Sequence, residues 1–188
     1  MALVAVGVVI GATSYWRHRS EGAAEALYAA QRMAAGSPEQ PSRMEEVASD
    51  YSRTPAGREA MMALGGMYLE RKQYDKALAE FKKLAGRSRN HPMLLVAAMH
   101  RMAEAQMAMG DAKAAAETYL KAASDPANIT GPESRLLAAG AFEKALDYER
   151  AAALYRQVIE DAREEDRQAR MSAEERLLWM IVEKKIQG

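Results

Sequence analysis

Apolar residues recur along this chain at helical spacing, and almost nowhere with the alternation of a half-buried strand. The stretch around which the rest is organised is Leu64–Phe81, LGGMYLERKQYDKALAEF. Leu64, Gly65 and Tyr68 belong to a first helical pattern, and Tyr74, Ala77 and Phe81 to a second. Glu70-Arg71-Lys72-Gln73 between them is polar and too short for anything but a tight turn. Gly65 and Ala77 are small where two antiparallel helices would touch, while Tyr68, Tyr74 and Phe81 are large where the gap must be filled. The pattern returns twice. Ala115 and Tyr119 take the places of Ala77 and Phe81, and Pro126 closes that second helix. Further on, Phe142, Tyr148, Ala151 and Tyr155 take the places of Tyr68, Tyr74, Ala77 and Phe81. The second-helix aromatics Phe81, Tyr119 and Tyr155 are 38 and then 36 residues apart.

Turn-forming residues frame three helix pairs, over 54–88, 92–125 and 132–162. Thr54-Pro55 offers a capping hydroxyl followed by Pro at the first helical position. His91-Pro92 and Gly131-Pro132 open the next two pairs, and Gly86 suits the C′ position of the first pair's second helix. Ahead of these, Arg19–Ala35 reads as an amphipathic helix with Ala23, Ala26, Leu27, Ala30 and Met33 on one face, stopped by Gly36-Ser37-Pro38. A short helix follows from Pro41 through Tyr51. Residues 18–53 thus read as an opening helix pair that caps a stack. After the repeats, the densely charged run DAREEDRQAR suits a solvated helix. A last helix is expected from Ser172, where Glu175 completes a capping box. Its apolar face would be Leu177, Leu178, Ile181, Val182 and Ile186, widened by Trp179 and Met180. Residues 163–188 then cap the stack; a partner-docking helix is the other reading.

The order Leu-Gly, Tyr, then Tyr, Ala and an aromatic resembles the tetratricopeptide (TPR) repeat, whose period is about 34 residues. The longer spacing here places extra residues in the loops Ser88–Pro92 and Asp125–Pro132. The expected fold class is therefore all-α, a TPR-like α-solenoid of antiparallel helix pairs with an N-terminal transmembrane helix. A generic antiparallel bundle is the competing architecture.

The transmembrane expectation comes from residues 2–16, ALVAVGVVIGATSYW, which carry no ionisable charge at neutral pH and run directly into Arg17-His18-Arg19. No Lys or Arg precedes the run, and Ala12-Thr13-Ser14 is a poor cleavage site, so a signal peptide fits badly. A buried soluble helix fits the run's length, which falls short of the usual 20 or so spanning residues. A membrane anchor over 1–17 fits best. Tyr15 and Trp16 lie where an aromatic belt would, the arginines beyond them can snorkel, and Gly7 and Gly11 form a small-xxx-small face for another membrane helix. Positive charge after the anchor places the body on the cytoplasmic side by the charge rule alone.

Composition narrows the chemistry. The 26 basic and 26 acidic side chains cancel, which argues against a nucleic-acid partner. With no cysteine, disulfides, thiol catalysis and cysteine metal sites are absent. His91 and His100 are nine residues apart and read as no metal site, and there is no glycine-rich phosphate loop. The carboxylates lie in polar surroundings, and no Ser or Thr has a base near it in sequence. No catalytic residue, cofactor, metal ligand or small-molecule substrate is expected. Five methionines, Met93, Met99, Met102, Met107 and Met109, crowd one helix. Core filling is their ordinary use, and an adaptable binding surface the other. Met107 and Met109 cannot share a face.

Three segments carry a further resemblance: Tyr15-Trp16-Arg17 closing the apolar run, the segment LYAAQ, and VASDYSRTPAGREAMMALGGMYLERKQYDKALAEF. With them the chain resembles the YfgM-like, ancillary-translocon TPR proteins of bacteria over most of its length. That resemblance implies a single-span protein of the bacterial inner membrane with a periplasmic body, partnered by the Sec translocon and periplasmic chaperones. TPR-like outer-membrane assembly lipoproteins are also similar around Thr54–Phe81, but they carry a lipidated cysteine. The function expected is a non-enzymatic, membrane-anchored adaptor that binds protein partners in a groove lined by the first helix of each pair. Helical phase nominates Arg58, Met62, Tyr68, Arg101 and Gln106 for that groove, with Gly7, Gly11 and Trp16 packing the anchor. The alternative is a structural accessory subunit of a large membrane complex.

Overall fold

The computed structural model describes residues 2–33, 37–161, 163–183 and 185–186, the side chains of 2–8 and 10 excepted. Every regular element among them is helical. The chain divides into two compact units, Met1–Arg71 and Lys72–Gly188. Leu64–Phe81 straddles that division, so its two helices belong to different units.

The first unit holds α1 (Ala2–Gln31), α2 (Gln40–Asp50) and α3 (Pro55–Glu70), each packed on the other two. Ala23, Leu27 and Ala30 form the inward stripe of α1, against Met44, Val47 and Ala48 of α2 and Ala60, Met61 and Leu64 of α3. These stripes repeat at the three- and four-residue steps that keep side chains on one helical face. Thr54 caps α3 as expected: its hydroxyl oxygen accepts from the Gly57 amide at 3.0 Å and donates to the Tyr51 carbonyl at 2.9 Å. Gly57 makes the turn possible. A Cβ there would lie 1.9 Å from the Tyr51 carbonyl oxygen, so no larger residue fits without moving backbone.

The second unit holds α4 (Tyr74–Arg87), α5 (Pro92–Ala108), α6 (Ala112–Ala123), α7 (Gly131–Lys144), α8 (Tyr148–Asp161), a short 3₁₀ turn (Glu164–Asp166) and α9 (Arg167–Val182). Each α-helix packs on the next, and α9 also touches α7. Its main core is built of small residues, Ala103, Ala115, Ala116, Ala138, Ala139, Ala151 and Ala152, which let helix axes approach closely. Tyr119, Phe142 and Tyr155 fill the space between, as their spacing implied.

A second periodicity sits in the turns. Lys72, Gly110 and Leu146 have positive φ of 58°, 84° and 60°, each two residues before a helix start. They are 38 and 36 residues apart, the same steps as the aromatics. After α5, the Asp111 amide donates to the Gln106 carbonyl and the Gly110 amide to Met107. After α7, the Asp147 amide donates to Phe142 and the Leu146 amide to Glu143. Both are Schellman closures around a left-handed C′ residue. The aspartate that follows caps the next helix, Asp111 accepting from the Ala114 amide at 3.0 Å and Asp147 from Arg150 at 3.3 Å.

Several expectations need correction. Helix α1 runs unbroken from Ala2 to Gln31, so the apolar run and the amphipathic helix read from Arg19 form one element, which ends short of Ala35. Among the described residues no helix is long and apolar enough to cross a membrane, so the expected transmembrane helix is not found there. The physical reason lies in the run itself. Residues 2–16 reach only about 22 Å as a helix before Arg17, against roughly 30 Å of hydrocarbon. Gly86 is inside α4, with Ser88 as the C-cap. Helix α9 starts at Arg167, five residues before the capping box read at Ser172, because Ala169, Ala173, Leu177 and Met180 give it an inward stripe from its first turn onward. That stripe leaves Leu178, Trp179, Ile181 and Val182 exposed.

Candidate interaction surfaces

In the second unit, α5 and α7 are joined by a polar network centred on two residues 34 positions apart. His100 Nε2 lies 2.8 Å from the Ser134 hydroxyl, which is completely buried. That hydroxyl donates to the Thr130 carbonyl at 3.1 Å and accepts from Asn128 Nδ2 at 3.0 Å, while Asn128 also donates to the Ala122 carbonyl at 2.8 Å. With its single proton given to Thr130, Ser134 is an acceptor toward His100, which assigns the proton to Nε2. The imidazole packs edge-on against Tyr119, ring centroids 5.4 Å apart. Burial holds the His100 pKa below its ordinary value, against opposing pulls from Glu133 and Glu104. Burial also raises the Tyr119 hydroxyl to about 12, helped by Glu104 and opposed by Arg101. A fully buried serine that accepts from histidine is a structural clasp rather than a nucleophile. The sequence offered no sign of it, since the two residues lie on separate helices.

A second network ties α7, α8 and α9. Glu143 receives the Tyr155 hydroxyl at 3.1 Å and the Arg176 guanidinium through two nitrogens, one of them Nε at 3.1 Å. Burial lifts Tyr155 to about 12. These groups edge a cleft of about 370 Å³ whose wall includes Leu136, Gly140 and Ser172. On another part of the same unit, Arg150 stacks 4.0 Å over Phe142 while bonding Asp147 at 2.6 Å and Glu117 at 2.9 Å. The Arg150 hydrogen bond draws the Asp147 carboxyl below its usual range.

In the first unit, α1 changes character along its length. Val9 and every residue from Gly11 to His18 are exposed, whereas Ala23, Leu27 and Ala30 are buried. Tyr15 and Trp16 meet edge to face at 6.0 Å. They form one wall of a cleft of about 420 Å³ whose other lining residues are Arg19, Ser49, Asp50, Ser52 and Arg53.

The sequence family described as a tetratricopeptide repeat-like domain matches residues 1–131. The chain belongs to that family. Among solved structures, this TPR-like chain is similar to the nearly identical TPR-like repeats of a Podosopora anserina protein designated a kinesin light chain. The match has 18% identity and a TM-score of 0.58, and it covers 90% of this chain and 86% of that one. A single-substitution variant of the same protein matches equally well. At this identity the likeness establishes the fold, a TPR-like solenoid. No curated protein sequence matches at a significant level. TPR-like repeats generally serve as scaffolds for protein–protein interaction.

Within the TPR-like frame the nominated residues divide between the units. Arg58 and Met62 are half-buried on α3, with an Arg58 Nη1 donating to the Arg53 carbonyl at 3.0 Å, and Tyr68 is buried. Arg101 is half-buried on α5, paired with Glu104 at 2.6 Å and lying 5.8 Å above the Phe81 ring. Gln106 accepts the Thr118 hydroxyl at 2.7 Å. Arg101 and Gln106 are five residues apart on one helix and point to different faces. Gly11 and Trp16 are exposed, and what surrounds Gly7 lies outside the described residues. Of the methionines, Met99 is buried and Met107 packs on the core, whereas Met93 and Met109 are exposed.

Proposed function

We propose that this protein is a non-enzymatic TPR-like adaptor, attached to a membrane by the first half of α1 and holding protein partners along the half-exposed faces of α5 and α7. The observation that carries the reading is the split in α1. Uncharged side chains at Val9 and from Gly11 to Trp16 are left exposed by the unit that buries Ala23, Leu27 and Ala30 of the same helix. Exposed apolar surface of this kind marks a membrane or partner contact. The chemistry of the α5–α7 face is mixed and polar: Arg101 and Glu104 on α5 and Glu133 on α7 give it charge with which to select a partner. By the family resemblance over most of its length, the membrane is the bacterial inner membrane, the body is periplasmic, and the partners are translocon subunits or chaperones.

The alternative is an accessory subunit docked into a larger membrane complex. It draws on α9, whose Leu178 and Val182 are 63% and 67% exposed on one helical face. Affinity purification in mild detergent, with and without residues 2–16, separates the two. An adaptor keeps the same protein partner without the apolar segment and loses it on Arg101→Glu with Glu133→Arg. A subunit docked through its membrane end loses the partner on truncation and ignores the charge reversals.

A further inference from the structure

We infer that the cleft walled by Tyr15 and Trp16 binds the phosphate of an anionic phospholipid headgroup. The inference rests on the membrane attachment proposed above, and adds to it a site with a defined ligand chemistry. Trp and Tyr favour the membrane–water interface, where an apolar ring and a polar tip are both accommodated. Arg19 lies three residues beyond Trp16, about 4.5 Å further along the helix axis. With the apolar start of α1 in hydrocarbon and the aromatic pair at the interface, the cleft falls at the level of lipid phosphates.

The groups facing the cleft suit that ligand. Arg19 donates to the Asp50 backbone carbonyl and sits 5.4 Å over the Tyr51 ring, which fixes its position without an opposing charge. A guanidinium carries five N–H donors, so most remain for a phosphate, which it meets in a bidentate fork. Arg53, which is exposed, and Ser52 line the same cleft. Among the described residues neither Arg19 nor Arg53 forms an ion pair. The lining carboxylate, Asp50, accepts the Ser49 hydroxyl at 3.1 Å, and the two arginines outnumber it. The cleft volume lies in the range of small-ligand sites.

The test is partitioning of the full chain, at physiological ionic strength, between pure phosphatidylcholine vesicles and vesicles with phosphatidylglycerol added. The native chain should bind both and prefer the anionic vesicles by about 25-fold or more. Arg19→Gln with Arg53→Gln should keep binding to phosphatidylcholine and lose about five-fold of the preference per arginine. Ser49→Tyr, which fills the cleft and leaves the charge unchanged, should lose the preference as well. If Ser49→Tyr retains it, diffuse charge rather than a cleft is responsible and the inference falls. An unselective native chain overturns the cleft but leaves the attachment standing, whereas a chain that binds neither vesicle overturns both. Displacement from anionic vesicles by micromolar glycerol phosphate would make the ligand a soluble phosphate and overturn the lipid assignment.

Discussion

Leu146 shows how a repeat is marked by backbone rather than by side chain. Its φ of 60° is the left-handed conformation that costs an L-residue roughly 1–2 kcal/mol, and its side chain is 72% exposed, so little packing offsets the cost. Gly110, at the equivalent place one repeat earlier, adopts the same conformation freely. Leu146→Gly should therefore stabilise the protein by about 1 kcal/mol, raising Tm by roughly 3 °C in a calorimetric scan. An unchanged or lower Tm would mean that Leu146 makes contacts worth as much as the strain. His100 makes a complementary prediction about pH. Its pKa is held below the free value of 6.5, so the unfolded chain takes up the proton first. The stability from neutral His100 is thus fully present above about pH 6.5 and is lost as pH falls toward the lower folded value. The groups facing the imidazole are Ser134, Tyr119, Glu104 and Glu133; the two glutamates moderate the loss without reversing it. Denaturation midpoints between pH 7.5 and 5 should fall more for the native chain than for His100→Gln, whose amide still donates to Ser134. Parallel curves would show that this histidine is not the titrating group.

At the scale of elements, the sequence disclosed what depends on local chemistry and concealed what depends on packing. Thr54-Pro55, His91-Pro92 and Gly131-Pro132 mark helix starts because proline fixes φ in the first turn, to which Thr54 adds a side-chain cap. Of the three left-handed turns, glycine announces one; Lys72 and Leu146 carry no such signal, and only the 38- and 36-residue steps give them away. Helix α9 was misplaced for a related reason. Its first turns are charged, and the residues that dock it, Ala169 and Ala173, are too small to register as an apolar face. Of the expected apolar face, Leu177, Met180 and Ile186 do pack on the core, whereas Leu178, Ile181 and Val182 are exposed and Ala173 completes the buried stripe. For the candidate surfaces, the aromatic and basic positions of α1 were legible as residue types. The clasp between His100 and Ser134 was not, because no local pattern brings residues 34 apart into one network.

For the molecule as a whole, repeat architecture makes stability a sum of neighbour interfaces, so each terminal helix matters through what it covers. The two ends of this chain differ sharply by that measure. Helix α9 lays Ala173 and Met180, both completely buried, on the core of the second unit, and Arg176 closes onto Glu143 beside Tyr155. Residues 11–18 of α1 are all exposed, and none of them belongs to the buried core of the first unit. Ending the chain at Asp161 removes α9 and uncovers the apolar surface of α7 and α8. The expected result is a Tm lower by well over 5 °C, with binding of a hydrophobic dye before the main transition. Starting the chain at Arg19 removes no described buried residue, and its melting curve should overlay that of the full chain. A shared loss at both ends would mean that Val9 and residues 11–18 are packed in solution, and it would remove the observation on which membrane attachment rests. Loss at the α9 end alone would leave the first half of α1 with no structural duty inside the fold, free to engage a surface outside it.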